Sequence, residues 1–194
     1  MKKLLITGFE PFNNEKINPS WEAVSKLPNE IGGYFITKLL IPVVFSEAAE
    51  KVINASDEIS PDVILCIGQA GGRAAITPEM VAINLRYASI PDNNGNQPKD
   101  EPIINGGDGA YFTTLPIRKM VEAINDSKIP AQVSYSAGAY VCNDVFYTLL
   151  NHFQKTNVCV GFIHVPYSTE QGKDPAMDIN DIVKALTIAI ENIE

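Results

Sequence analysis

The chain has 194 residues, 45% of them hydrophobic, and its 23 acidic against 15 basic side chains give a formal net charge of −8 and a pI near 4.8. That length and apolar content suffice for one large core, so a single domain over residues 1–194 is expected. The carboxylate excess, with no run of Lys or Arg to offset it, argues against nucleic acid or an anionic membrane surface as partner and leaves a small molecule or peptide.

No apolar stretch approaches the eighteen or so residues of a membrane helix. The start, Met1-Lys2-Lys3-Leu4-Leu5-Ile6-Thr7-Gly8, has an apolar run too short for a signal-peptide core, so a reducing, cytoplasmic setting is expected. Three cysteines without regular spacing, and no Cys/His cluster with metal-ligand spacing, predict neither a disulfide framework nor a metal site.

In chain order, β-type runs alternate with helical ones. Lys3–Thr7 reads as a first strand, followed by a loop over Gly8–Asn18. Asn18 as N-cap and Pro19 at the first helical position then start a helix carrying Trp21 and Val24, because the Asn side chain can accept an orphan N–H and proline has none to lose. Tyr34–Ile41 is a second strand, and Ser46–Ile59 is a helix with Glu47, Glu50 and Lys51 on its polar side. Asp62–Ile67 is a third strand, its unbroken apolar run fitting a sheet covered on both faces.

Met80–Tyr87 alternates as a strand would. Residues 90–109, rich in proline, asparagine and glycine, form a long irregular excursion of the kind that usually carries function. A helix over Pro116–Ser127, a strand over Gln132–Ser136, a helix over Ala139–Thr156, a buried strand over Val158–Val165 and a closing helix over Ile179–Ile193 complete the chain. This alternation predicts an α/β fold, a three-layer α/β/α sandwich with a mostly parallel central sheet. Ligands of such sheets collect outside the C-terminal ends of the strands, where Gly8–Phe12, Gly68–Gly72, Ala137–Cys142 and His164–Tyr167 would gather.

Cys142 follows the small-residue stretch Ser136-Ala137-Gly138-Ala139 and falls in the first turn of its helix, ahead of the polar pair Asn143 and Asp144. Unpaired N–H groups and the positive end of the helix dipole are expected there to lower its pKa by one to several units from about 8.5, giving a nucleophile. The alternative is a small core hydrophobe, as expected of Cys66 and Cys159, which lie within continuous apolar runs. A thiol nucleophile needs a base. Of the two histidines, His152 lies ten residues along the cysteine helix, about 15 Å away, and cannot reach. His164 ends a strand at the functional edge, as base or as a backbone-bonded cap.

A carboxylate is needed to fix the base's tautomer. Glu79, just after the glycine-rich turn Gly68-Gln69-Ala70-Gly71-Gly72, is the candidate, with a solvated surface glutamate as the alternative. That turn matches neither the dinucleotide nor the P-loop pattern and has no P-loop lysine, so a nucleotide site is not expected. Its functional alternative is close backbone approach to a ligand.

Taken together, the blocks Ile6-Thr7-Gly8-Phe9-Glu10-Pro11-Phe12 with Asn18-Pro19-Ser20-Trp21, Gly68-Gln69-Ala70-Gly71-Gly72-Arg73, Thr77-Pro78-Glu79 with Ala82-Ile83-Asn84, Ile90-Pro91-Asp92-Asn93, Ala137-Gly138 to Cys142-Asn143 and His164-Val165-Pro166-Tyr167 resemble the pyrrolidone-carboxylate peptidases (pyroglutamyl peptidase I). The resemblance implies a cysteine exopeptidase that removes an N-terminal pyroglutamyl (5-oxoproline) residue from peptides without metal or cofactor, on an α/β/α fold and as a cytosolic homotetramer. It makes Cys142 the nucleophile, His164 the general base and acid, and Glu79 the orienting carboxylate, within a single catalytic domain. It also assigns Phe9, Phe12, Gln69 and Asn18 to substrate binding, the aromatics lining the lactam pocket.

Ser89 stands where the family commonly carries an arginine, for which Arg73 or Arg86 would have to substitute; alternation along the expected strand turns Arg86 to the face opposite Ser89. Asp144 stands where a histidine is often seen. Two other functions fit the same residues: a catalytically weakened binder of pyroglutamyl peptides, and a different thiol amidase on the same scaffold.

Overall fold

The computed structural model describes all 194 residues. Its elements run β1 (Lys2–Phe9), α1 (Pro19–Lys26), β2 (Glu30–Ile31), β3 (Tyr34–Ile41), α2 (Glu47–Ile59), β4 (Val63–Gln69), β5 (Thr77–Pro78), β6 (Val81–Ile83), β7 (Ala110–Phe112), α3 (Ile117–Asp126), α4 (Val141–Phe153), β8 (Cys159–Val165) and α5 (Ile179–Glu191). A short pair, Tyr167–Ser168 with Ala176–Met177, lies between β8 and α5. One sheet has the order β2-β3-β1-β4-β8-β5. Its inner strands β3, β1, β4 and β8 are parallel, with antiparallel pairings only at its edges.

Strands β1, β4 and β8 are buried along most of their length because helices cover both of their faces. Leu4, Ile6, Leu65 and Ile163 enter one core with residues of α1, α3 and α5. Leu5, Ile64, Cys66 and Phe162 enter another with residues of α2 and α4. The period-2 alternation of a strand thus feeds two cores at once. This is the expected three-layer α/β/α sandwich, and Cys66 is core as expected, fully buried. Cys159, at the start of β8, is only partly buried and packs against the edge of the first core.

Two expected strands are corrected. Of Met80–Tyr87 only Val81–Ile83 forms a strand, paired with β7, and Arg86 makes an isolated bridge to Glu101. The reason is Asn143: its side chain accepts the Ile83 N–H and donates to the carbonyls of Ile83 and Leu85, taking the backbone groups that a longer ladder would need. Gln132–Ser136 is extended but is no strand, being joined to the chain beside it only by the isolated bridges Ile76–Ala131 and Glu79–Ser134.

The unforeseen β5 contains Pro78, tolerated because it lies at the sheet edge. It matters for the site, since Thr77 pairs with His164 and Glu79 follows directly. The excursion over 90–109 is pinned by Asp92, whose buried carboxylate accepts the N–H groups of Phe45, Asn94 and Asn96.

Candidate active site

Helix α4 starts at Val141, with Tyr140 as its N-cap, two residues after Gly138 at φ +78 turns the chain into it. Cys142 is therefore the second helical residue, where a backbone N–H has no partner one turn back. Its sulfur lies over β4: a Cβ on Gly68 would come within 3.0 Å of Cys142 Sγ and 2.8 Å of the Phe162 ring. Glycine at 68 is thus the room left for the thiol. Gly68 is paired in register with His164 on β8, so the sulfur lies over the strand beside the histidine's own. Cys142 and His164 line one cleft, together with Gln69, Arg73, Ser136 and Tyr140.

His164 is held from two sides. Its ring packs at 4.7 Å on Phe162, and its Nδ1 lies 2.7 Å from Glu79 Oε1. Glu79 is fully buried and not the solvated glutamate of the alternative reading. Burial alone would raise its pKa, but hydrogen bonds and charge from His164, with Ser134 and Arg73, outweigh that and hold the carboxyl below its usual range. An ionised Glu79 makes Nδ1–H the donor and leaves Nε2 as the free acceptor. Burial depresses the His164 pKa, Glu79 opposing, so the imidazole is neutral at pH 7.

The expected lowering of the Cys142 pKa is overturned. Burial pushes the thiol up to about 12, the Glu79 charge adding to the rise and Arg73 opposing it. Withdrawal from water and a nearby anion outweigh a helix terminus, whose effect is smaller. The resting pair is therefore a neutral thiol and a neutral imidazole.

On the other side of the sulfur lies a small recess of ≈ 40 Å³ lined by Phe9, Phe12, Val43, Tyr140, Cys142 and the amides of Asn18 and Gln69. All four expected binding residues thus face one space, and Phe12 lies 6.3 Å from the Tyr140 ring. They differ in freedom. The Asn18 amide is engaged, its Oδ1 by the Ser20 N–H and hydroxyl and its Nδ2 by the Glu10 carbonyl. It caps α1 as expected and holds Phe9 through Ser20, whose Oγ accepts the Phe9 N–H. The Gln69 Oε1 accepts from Gln171, leaving its own N–H donors without a partner in the protein.

Tyr140 was not among the residues singled out from the sequence, although it belongs to the Ala137–Asn143 block. Its hydroxyl donates to the Pro91 carbonyl and its ring meets Phe45 edge-on at 5.4 Å.

The two arginines have separate tasks. Arg73 Nη1 donates to Glu79 Oε1 at 2.7 Å and to Thr77 Oγ1 at 2.7 Å, and Nη2 to the Ser136 carbonyl at 3.0 Å. Arg86 donates from Nε to Asp144 Oδ1 at 2.5 Å and from Nη2 to Ser46 Oγ at 2.9 Å. Asp144, fully buried, also accepts the Ser46 N–H. The carboxylate in place of the family's histidine is thus matched by Arg86 and ties α4 to the start of α2. Ser89 is exposed and its side chain makes no hydrogen bond. No group of three or more His, Cys, Asp or Glu side chains is placed to hold a metal ion, and no helix is long and apolar enough to cross a membrane.

A doubly covered parallel sheet with a thiol, a carboxylate-bound imidazole and an apolar recess at its C-terminal edge places the protein among α/β enzymes whose site lies at the strand ends. A family model described as pyroglutamyl peptidase matches residues 2–194. Similar proteins are the pyrrolidone-carboxylate peptidases of Brachyspira hyodysenteriae, 51% identical with 97% of each chain covered, and of Lactobacillus helveticus, 50% identical with 97% of each covered. The crystal structure of Bacillus amyloliquefaciens pyroglutamyl peptidase I superposes with a TM-score of 0.96 at 47% identity, covering 100% of this chain and 97% of that one. The chain belongs to the pyroglutamyl peptidase family and is by that membership a peptidase.

Proposed function

We propose that the protein is a cysteine exopeptidase that hydrolyses the bond after an N-terminal pyroglutamyl residue, through Cys142, His164 and Glu79 and an acyl-enzyme. The observation that carries this reading is that Cys142 lines two spaces at once, the apolar recess and the open cleft with His164. A lactam ring is flat and uncharged, so aromatic walls with a few amide groups suit it, and the absence of a carboxylate from the recess disfavours a free α-amine. Phe9, Phe12 and Tyr140 form the walls, and Gln69 offers the free N–H donors.

With the ring seated there, His164 Nε2 takes the Cys142 proton and the sulfur attacks the carbonyl carbon next to the ring. The imidazolium so formed faces Glu79, which stabilises it and fixes its orientation. The Cys142 N–H, free at the start of α4, is one donor to the tetrahedral oxyanion. Collapse breaks the C–N bond, His164 gives its proton to the leaving amine, and a thioester remains. A water deprotonated by His164 then releases pyroglutamate and restores the thiol. Arg73, by pairing with Glu79, keeps the carboxylate ionised throughout. Residues 1–194 act as one catalytic domain in this reading, and the family resemblance supports a cytoplasmic homotetramer.

The test is release of aminocoumarin from its pyroglutamyl amide at neutral pH with reductant. Turnover by the wild type that Cys142→Ser abolishes is the expected result. Absence of wild-type turnover, or its survival in Cys142→Ser, would overturn the proposal.

A further inference from the structure

The cleft continues away from the recess. Beyond Cys142 and His164 it meets a second hollow lined by Arg73, Thr77, Gln132, Ser134, Tyr135 and Ser136, with Arg73 and Ser136 common to both. If the ring occupies the recess, the leaving amine must depart on this side, so the residues that follow pyroglutamate run over Arg73 into the hollow. We propose, resting on the peptidase reading, that this hollow is the subsite for the first two residues of the leaving peptide and that it favours those bearing a carboxylate, whether a free C-terminus or an acidic side chain.

Three observations converge on this. The first is main-chain edge. Residues 132–134 hydrogen-bond on one side to 76–80, with Gln132 N–H on the Ile76 carbonyl, Ser134 N–H on the Pro78 carbonyl and Met80 N–H on the Ser134 carbonyl. The N–H and carbonyl groups of Val133 and Tyr135 have no partner in the protein. An extended segment alternates the direction of these groups, so an unpaired edge remains on which a peptide can add as a strand.

The second is charge. In a chain of net charge −8, no Asp or Glu lines this hollow; Glu79, nearest to it, is fully buried beneath Arg73. The Arg73 side chain is 29% exposed, and its Nε–H has no acceptor in the protein. Arg118 Nη2 donates to the Tyr135 hydroxyl at 3.2 Å and enters no ion pair.

The third is reach. Ser134 Oγ and the Ser136 carbonyl accept from Arg73, and Tyr135 between them in the chain, 62% exposed, accepts from Arg118 at its hydroxyl. Two extended residues span roughly 7 Å, enough for the leaving peptide to run from Arg73 along this segment.

The experiment compares kcat/KM for pyroglutamyl-Ala-Ala, its C-terminal amide and pyroglutamyl-Asp-Ala amide, in the wild type and in Arg118→Gln and Tyr135→Ser. Ratios between peptides are read, so any loss common to all substrates cancels. The free acid and the Asp peptide are expected to exceed the neutral amide about two- to fivefold at low salt, the scale of a half-exposed ion pair. The gap should close near 0.5 M salt, where screening reaches only a few ångströms, and should shrink in Arg118→Gln. An advantage for the free acid alone identifies the C-terminus as the group bound; one for the Asp peptide alone identifies the side chain.

Equal rates for acid, Asp peptide and amide at low salt, or a gap indifferent to both salt and Arg118→Gln, would overturn the subsite. The affinities of the same peptides for Cys142→Ala, measured by calorimetry, carry the same expected ratios. They judge the subsite even if the aminocoumarin amide is not turned over, a result that would fall on the peptidase reading alone.

Discussion

Glu79→Gln is a nearly isosteric change at a fully buried position, and its consequences can be worked from the contacts. Glu79 Oε1 accepts from both His164 Nδ1 and Arg73 Nη1, each at 2.7 Å. An amide carries no charge. Both hydrogen bonds converge on Oε1 while Oε2 has no partner, so the glutamine oxygen keeps both donors and its NH₂ takes the buried, unpartnered Oε2 place. What is lost is the charge: the half-buried guanidinium loses its counter-charge and the imidazolium is left unstabilised. A cost of about 3–5 kcal/mol in the transition state corresponds to a loss of 10²–10⁴ in kcat.

The fold should lose less, about 2–4 kcal/mol, because both hydrogen bonds survive in weakened form, without charge assistance from the carboxylate. A second readout separates a positioning role from a structural one. Glu79 raises the His164 pKa against burial, so its neutralisation must move the acid limb of kcat/KM to lower pH. The aminocoumarin assay from pH 4.5 to 8, with urea unfolding alongside, reads all three effects. A kcat within threefold of wild type would refute the assigned role of Glu79, as would an unmoved acid limb.

Three further outcomes follow from the same geometry. Because the thiol is pushed up to about 12, alkylation of Cys142 by iodoacetamide should rise about tenfold per pH unit from 7 to 9; a plateau with its midpoint below pH 7 would contradict a neutral resting thiol. Arg86→Met strands the fully buried Asp144 carboxylate and should cost about 2–4 kcal/mol in urea unfolding, while Asp144→Asn, which keeps an acceptor for the Ser46 N–H, should cost less. Gly68→Ala pushes a methyl against Cys142 Sγ and the Phe162 ring; overpacking of about 1–3 kcal/mol with a more than tenfold fall in kcat/KM is expected, and unaltered turnover would show that the sulfur lies elsewhere.

The layers of this protein are written locally. Short apolar runs separated by amphipathic segments dictate doubly covered parallel strands, and Asn18-Pro19 starts a helix because capping uses only neighbouring atoms. The candidate site residues were legible as residue types at element ends, Cys142 in the first turn of a helix and His164 at the end of a strand, on the edge where ligands of such sheets collect.

What the chain could not disclose locally is where backbone groups find distant partners. Met80–Tyr87 alternates like a strand, yet Asn143, some sixty residues away, occupies its hydrogen-bonding groups. Pro78 reads as a strand breaker until an edge position excuses it.

The protonation of the site was the least accessible of all. A cysteine in the first turn of a helix promises a thiolate, but its pKa is set by how much water the surrounding layers exclude and by which charges they bring near. Only the packing of α4 over the sheet, with Glu79 and Arg73 at its side, decided that the Cys142 thiol is pushed up and not down.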